Sequence, residues 1–488
     1  MNVPPVEAEF VRTSLRMNPL IVPQSEYAAV FERITQLSLK YLASLPERAT
    51  FPDVTGHQVE EWFSGAVPEQ GMGSAALDAL PKVIDGCRPN SPRFFGYVFG
   101  SGEPVAAAAD LLASALNQNV TAWRSGPSAV TLERLVVGWL AAAIGCEGFA
   151  GSLTGGGSAA NLMALAMARE SRLPANESGA RPGTIYASQQ VHMSIPKAVA
   201  LLGVGRDNLR LLPCDDNFRL RADDLCNAIE RDIAANLTPI VIVASAGTVA
   251  TGSIDPLPDL AAIAREHGAW LHVDGAYGAL AAIAQPEKFA GLNQADSISL
   301  DPHKWLYQPM DCGCLLYRDP AAAHRAFSHT GDYAKSLLND PIESFAFFEE
   351  SIELSRRFRA LKVWLSLRYH GLAKFREAIR NDLQNAQHLA TLIAAESELE
   401  LLAPVPLSAV CFRYRPAQSS PLSLDKLNRQ ILQNVVRRGR VFFSNASIQG
   451  EFALRACFVN HRSTPEDVAQ IVAEVLQVGR ELTAKAES

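Results

Sequence analysis

The sequence predicts an α/β fold, a mainly parallel sheet with helices on both faces. Short apolar runs rich in Val, Ile and Leu recur between Thr184 and Arg318, and helical segments lie between several of them. Strands alternating with helices in this way argue for parallel pairing, with both sheet faces covered. The polar residues that follow the runs fall where such sheets bind ligands, beyond the carboxyl ends of the strands.

The strand candidates are TIYAS (184–188), PIVIVASAG (239–247), AWLHVDGAY (269–277), DSISLD (296–301) and GCLLYR (313–318). Each is short and apolar between polar or glycine residues, as buried strands are. PLPDLAAIAREHG (256–268) has the spacing of a connecting helix, and VAAAADLLASALNQ and SAVTLERLVVGWLAAAIG repeat that spacing upstream. Downstream, RFRALKVWLSLRYHG (357–371) and KFREAIRNDLQNAQHLATLIAAE (374–396) read as long helices.

Three regions result. Residues 1–100 form an N-terminal helical segment, broken by Pro/Gly loops and too poor in apolar residues to stand alone. Residues 101–389 form the large α/β domain. Residues 390–488 form a small α+β domain in which LAPVPLSAVCFRYRP, VVRRGRVFFS and EFALRACFVN supply strands.

A chain of 488 residues exceeds what one core supports. It is 48% hydrophobic and 19% charged with mean hydropathy +0.04, the composition of a soluble globular protein. A net charge of −7 and a pI near 5.9 exclude the basic surface that nucleic acid or an anionic membrane would need. The eight cysteines are scattered, and the lone C-x-C at Cys312 and Cys314 lacks the paired spacing of a zinc site. Free thiols in a reducing compartment are expected. The N-terminus MNVPPVEAEFVRTSLR has no basic stretch followed by an apolar one, and no apolar run is long enough to span a bilayer. A cytoplasmic location is expected, with no membrane partner.

The chemistry is carried by a set of polar residues at successive strand ends. LTGGGSAANLMALAMARE (153–170) puts three glycines and Ser158 directly before a helix. Glycine allows close backbone approach and a helix start offers free N–H groups, so Gly157 and Ser158 suit an anion such as phosphate. They equally suit a structural turn. His192, after TIYAS, can cap or pack, or lie over a flat heteroaromatic ring.

Asp274 ends AWLHVDGAYG, where a poorly solvated carboxylate needs a cationic partner. A protonated pyridine nitrogen would serve, and Ala276 is small enough to let a ring lie flat; a turn-capping aspartate is the alternative. Thr248 ends another strand, within reach of a ring substituent. Lys304, in SLDPHKW, is costly to bury as an ammonium but becomes a nucleophilic amine once desolvated. Its natural electrophile is an aldehyde, giving a Schiff base. A phosphate cradle, an acid for a ring nitrogen and a Schiff-base lysine together describe pyridoxal 5'-phosphate (PLP).

TGGGSAAN, the segment that runs from His192 into a helix, HVDGAYG and above all DPHKW resemble the group II PLP-dependent amino-acid decarboxylases. That family includes the aromatic-L-amino-acid, glutamate, cysteine-sulfinate and histidine decarboxylases. The similarity runs from PRFFGYVFG (92–100) through SRRFRALKVWLSLRYHG (355–371). It implies fold type I of the PLP-dependent transferases, with a sheet of the seven-stranded type, in a homodimer whose active sites lie at the interface. It also implies that Lys304 holds PLP, Asp274 pairs with the pyridine nitrogen and His192 stacks on the ring. Gly157 and Ser158 take the phosphate with His303 beside it, and Thr248 lies near the ring. Tyr333, in SHTGDYAKS, falls where relatives carry the tyrosine that returns a proton to the α-carbon. Tyr97 falls where they place substrate-pocket residues, and Phe99, two residues on, is a further substrate-side candidate. One departure stands out: some relatives have asparagine before P-H-K, and here it is Asp301. An ionised carboxylate cannot donate to phosphate, so Asp301 is expected to point away or to orient His303.

The expected reaction is decarboxylation of a small-molecule L-amino acid to its amine and CO2. Phe94, Phe95, Tyr97, Phe99 and Trp123 could line an apolar pocket and favour aromatic substrates, or could simply pack. Aspartate, glutamate or cysteine sulfinate would need a cation for the distal acid, for which Arg93 and Arg124 are candidates. The basic run RRFR (356–359) reads as a solvated helix face. An aldehyde synthase, aminotransferase, other lyase or idle PLP-fold protein are the alternatives. The presence of both Tyr333 and His192 favours simple decarboxylation, since aldehyde-forming relatives tend to lose one of them.

Overall fold

Twelve strands lie among the residues described by the computed structural model, which are 18, 20–329, 340–416 and 423–487. In chain order they are β1 (Phe94–Phe95), β2 (Ala150–Thr154), β3 (Gly183–Ser188), β4 (Leu209–Leu212), β5 (Thr238–Ser245), β6 (Trp270–Asp274), β7 (Ser297–Leu300), β8 (Gly313–Tyr317), β9 (Leu399–Leu401), β10 (Ala409–Tyr414), β11 (Phe442–Ile448) and β12 (Glu451–Cys457).

The chain divides into two compact units. The first holds residues up to Glu47 together with Pro52–Arg88. Its α-helices Gln24–Ser44, Gly56–Trp62 and Leu80–Gly86 carry no buried residue. Thr55 begins the second of them with a capping box, its hydroxyl taking the Gln58 N–H while the Gln58 side chain takes the Thr55 N–H.

The second unit holds two sheets. The larger is seven-stranded in the order β2-β8-β7-β6-β5-β3-β4. Its centre and one flank are parallel, while β8 runs antiparallel to both β7 and β2. Alternate residues of β5 enter different cores. Ile242 and Ala244 pack with Leu140, Leu225 and Leu260, whereas Val241 and Val243 pack with Met163, Ala164 and Ile195. Helices therefore cover both faces, and this is why β5 carries an unbroken apolar run, while β6 and β7 bury His272, Ser297 and Ser299 between their apolar residues.

The smaller sheet has the order β1-β11-β12-β10-β9. Val410, Phe412 and Leu454 from this sheet share a core with Leu427, Ile431 and Val475 from the helices Leu424–Arg438 and Pro465–Glu487. β1 joins it in parallel beside β11, and Phe95 packs against Phe458. Two of the aromatics in PRFFGYVFG are thus sheet residues. All eight cysteines are free. No helix among the described residues is long and apolar enough to cross a membrane.

The run RRFR is not a solvated helix face. The helix begins only at Ala360, and Arg356 and Arg359 are buried just before it. Arg356 pairs with the equally buried Glu133, and it also donates to the carbonyls of Val120 and Leu153. Glu133 in turn accepts the Leu153 N–H. The pair thereby fixes β2, the strand that leads into the glycine turn. Replacing Glu133 leaves the buried Arg356, among the described residues, with only the longer ion-pair contact to Glu353 at 3.8 Å, so Glu133→Ala is expected to cost about 3–5 kcal/mol in urea unfolding.

Candidate active site

Strand register assembles the site. Ser245 at the end of β5 stands opposite Asp274 of β6, and Asp274 opposite Ser299 of β7. The segments leaving these parallel strands therefore emerge along one edge. They line a cavity together with Gly155–Ser158, His192, Thr248, Ala276, His303 and Lys304.

Asp274 is 7% exposed and held from three sides. Asn161 Nδ2 donates to its Oδ2 at 2.9 Å, while Ser299 Oγ and the Ala276 N–H donate to Oδ1 at 3.1 and 3.2 Å. These donors give both carboxylate oxygens hydrogen-bond partners in a poorly solvated place.

Lys304 lies in the short helix Pro302–Trp305 that follows β7. Its Nζ is 2.9 Å from Asp301 Oδ2, with the lysine side chain 17% and the aspartate side chain 4% exposed. The same oxygen is 3.6 Å from His303 Nε2. The departure at Asp301 therefore has a definite place: the carboxylate faces the lysine amine first and the histidine second. Nδ1–H of His303 donates to the Cys312 carbonyl at 2.7 Å. Burial holds the His303 imidazole below its usual pKa, against the opposing pull of Asp301.

His192 is also held below its usual value, chiefly by burial and against the pull of Asp274. Its Nδ1 accepts from the Ser194 N–H at 3.3 Å and meets Ser194 Oγ at 2.8 Å. Thr248 lines the cavity, with its hydroxyl 2.9 Å from that of Thr251 and accepting the Ser253 N–H at 3.1 Å.

The glycine turn is built for close approach. Gly156 has φ +127°, a conformation that side-chain-bearing residues rarely adopt. A Cβ on Gly157 would stand 2.6 Å from the Ala276 Cβ and 3.0 Å from Asp301 Oδ2. No side chain caps the helix Gly157–Arg172 that starts here, so its first N–H groups remain for an anion.

The substrate candidates divide. Phe99 lines the cavity with Val98, Val249 and Met310. Tyr97 is 56% exposed and is not among the lining residues; its ring packs against Phe94 and Phe442. Phe94, Phe95, Trp123, Arg93 and Arg124 do not line the cavity either. Tyr333 lies outside the described residues. Asn161 and Ser194, which link Asp274 to His192, were not singled out from the sequence. An asparagine inside a helix and a serine at a helix start carry no signal of their own.

Comparison with known proteins places the chain. Residues 76–415 match the family described as "Pyridoxal-dependent decarboxylase conserved domain". The chain belongs to the pyridoxal-dependent decarboxylase family. It is 34% identical to an aromatic-L-amino-acid decarboxylase of Bacillus atrophaeus, over 80% of this chain and 82% of the relative. It is 32% identical to a phenylacetaldehyde synthase of Petunia hybrida, over 75% and 76%. A crystal structure of Oryza sativa TDC with PLP and tryptamine superposes with TM-score 0.89 at 27% identity, covering 96% of this chain and 99% of that one.

This pyridoxal-dependent decarboxylase is thus a carboxy-lyase of fold type I, and its cofactor is PLP. The residues present fit that group. Gly156 and Gly157 leave space that a Cβ would fill, beside an uncapped helix start. The buried Asp274 carboxylate offers a counter-charge for a protonated ring nitrogen, and Lys304 offers a primary amine to the same cavity. Gly157→Ala tests the cradle, since the added methyl must displace either Ala276 or Asp301. Cofactor affinity, titrated on the apoenzyme, is expected to fall on the order of 10- to 100-fold.

Proposed function

We propose that this decarboxylase converts aromatic L-amino acids to the corresponding amines and CO2. One observation carries the reading. The cavity presents Phe99, Val98, Val249 and Met310, and among the described residues Lys304 is the only lysine or arginine lining it. An acidic substrate would bury its distal carboxylate without a cation, which is costly. An aromatic side chain gains from apolar contact. The names of the Bacillus and Oryza relatives agree with this choice.

When bound, PLP supplies an electron sink for the pair left on the α-carbon as CO2 departs. The chain's own residues would do the rest. Lys304 holds the cofactor's aldehyde carbon through its amine. Asp274 keeps a proton on the pyridine nitrogen, the place where negative charge would otherwise accumulate unfavourably. His192, neutral through burial, lies against the ring without adding a second positive charge. Gly157 and Ser158 take the phosphate, with His303 at its side and Asp301 turned to Lys304 instead. Thr248 would border the ring, and the small Ala276 would leave room for it. Tyr333 returns a proton to the α-carbon. We place Phe99 on the substrate side. The functional unit we infer is a homodimer with active sites at the interface, which sedimentation of the holoenzyme would test.

A second reading is favoured by the phenylacetaldehyde synthase among the relatives, namely oxidative decarboxylation and deamination, in which dioxygen is reduced to hydrogen peroxide and an aldehyde, CO2 and ammonia are released in place of the amine. Both readings meet one experiment. The holoenzyme is given each of the twenty L-amino acids, and CO2, amine, aldehyde and peroxide are measured. Tryptophan, tyrosine or phenylalanine is expected to lead, with one amine per CO2. Glutamate or aspartate ahead of them would overturn the substrate assignment, and aldehyde with peroxide in place of amine would favour the second reading.

A further inference from the structure

Behind Asp274 runs a chain of buried polar groups whose donors and acceptors can be assigned one by one. A carboxylate only accepts, so Asn161 must turn its Nδ2 to Asp274. The other N–H of that amide reaches Ser194 Oγ at 2.9 Å. Ser194, accepting there, has its hydroxyl proton free for His192 Nδ1, which lies 2.8 Å away. The proton of the neutral His192 is thereby left on Nε2.

On the far side, Asn161 Oδ1 faces His272 Nε2 at 2.9 Å, and that nitrogen must donate. His272 Nδ1 lies 3.0 Å from Ser297 Oγ, which itself accepts the Trp270 indole N–H at 2.8 Å. Every hydrogen bond in the chain then points one way, from Trp270 to His192 and Asp274. Asn161 is 1% and His272 0% exposed, so water offers neither a substitute. Burial pulls the His272 pKa down to about 4, which agrees with a single N–H on that ring.

We propose that Asn161 is a positioning residue whose amide, oriented by His272, aligns the Asp274 carboxylate and, through Ser194, the His192 imidazole as one unit. The two groups assigned to opposite parts of the cofactor ring are therefore set by a single side chain on the helix Gly157–Arg172. That helix also begins with the glycine cradle, so its placement governs phosphate, ring nitrogen and ring face together. The charged and titratable groups facing this unit are Asp274, His192, His272, Lys304, Asp301 and Lys197, and Asn161 is the neutral member between them.

The inference rests on the proposed role of Asp274, so Asp274→Ala is measured beside the test variants. The readouts are the dissociation constant of PLP from the apoenzyme, the pH midpoint of the visible absorption of bound cofactor, and the melting temperature of the apoprotein. Asn161→Ala is expected to weaken PLP binding roughly tenfold or more and to move the pH midpoint by about half a unit or more. His272→Gln keeps an N–H for Asn161 Oδ1 and is expected to stay near the parent, whereas His272→Leu follows Asn161→Ala. Parent-like binding and pH midpoint in Asn161→Ala would overturn the proposal, as would equal behaviour of the two His272 variants. If Asn161→Ala does not fold, the His272 pair decides alone. Loss of binding in Asp274→Ala with none in Asn161→Ala would reject the role of Asn161 only. Full binding in Asp274→Ala would reject the reading of Asp274 itself.

Discussion

Lys304→Ala is expected to abolish turnover, by on the order of 10³-fold or more, and to remove the visible absorption of lysine-bound cofactor. No other lysine or arginine lines the cavity among the described residues, so no neighbouring amine can take its place. The variant has a second effect that must be separated from the first. Asp301 faces Lys304 Nζ at 2.9 Å with its own side chain 4% exposed, and removal of the lysine leaves that carboxylate without its nearest cation. Lys304→Arg divides the two effects. A guanidinium retains the charge beside Asp301 but is not a condensing amine. It should therefore restore the melting temperature lost in Lys304→Ala without restoring activity or absorption. Activity within tenfold of the parent in either variant would mean that another amine holds the cofactor.

Asp274→Asn is expected to lower kcat by roughly 10²- to 10³-fold and to weaken PLP binding. The substitution is nearly isosteric, so packing changes little, and the amide oxygen can still accept from Ser299 and Ala276. What is lost is the negative charge that we propose faces the ring nitrogen. A second conflict arises where Asn161 Nδ2 now donates to Asp274 Oδ2 at 2.9 Å. There the new amide would present N–H to N–H, and one of the two must turn away. Measuring kcat and the PLP dissociation constant on the same preparation separates the two results, since misalignment affects both and loss of charge acts mainly on kcat. A variant that retains both within a factor of about three would remove Asp274 from the mechanism.

The central strands were legible because each is short, rich in apolar residues and buried on both faces. The edges were not. β2 reads AGSLT, where glycine and serine suggest a turn, and β4 reads LRLL with only its last residue buried. Both are defined by their neighbours β8 and β3 rather than by their own sequence. Lys304, Asp274 and the glycines could be found because each is out of place for its setting: an ammonium at a strand end, an acid after an apolar run, three glycines before a helix. Asn161 and His272 look ordinary in sequence and acquire meaning only where helix and strand cross. Arg356 and Arg359 mislead for a related reason, since a run of arginines looks solvated until its buried acceptors are seen. Tyr97 sits one residue from two that line the cavity wall, yet a backbone φ of +56° accompanies its turn toward Phe442.

The row formed by Ser245, Asp274 and Ser299 has a consequence for how the protein matures. A slip of one residue between β5 and β6, or between β6 and β7, would turn Asp274 to the other face of the sheet. A chain with these strands out of register therefore lacks the Asp274 contribution to cofactor binding. Cofactor capture becomes a report on completed folding, and excess PLP would protect the enzyme against global unfolding while leaving frayed edges such as β4 as open as before.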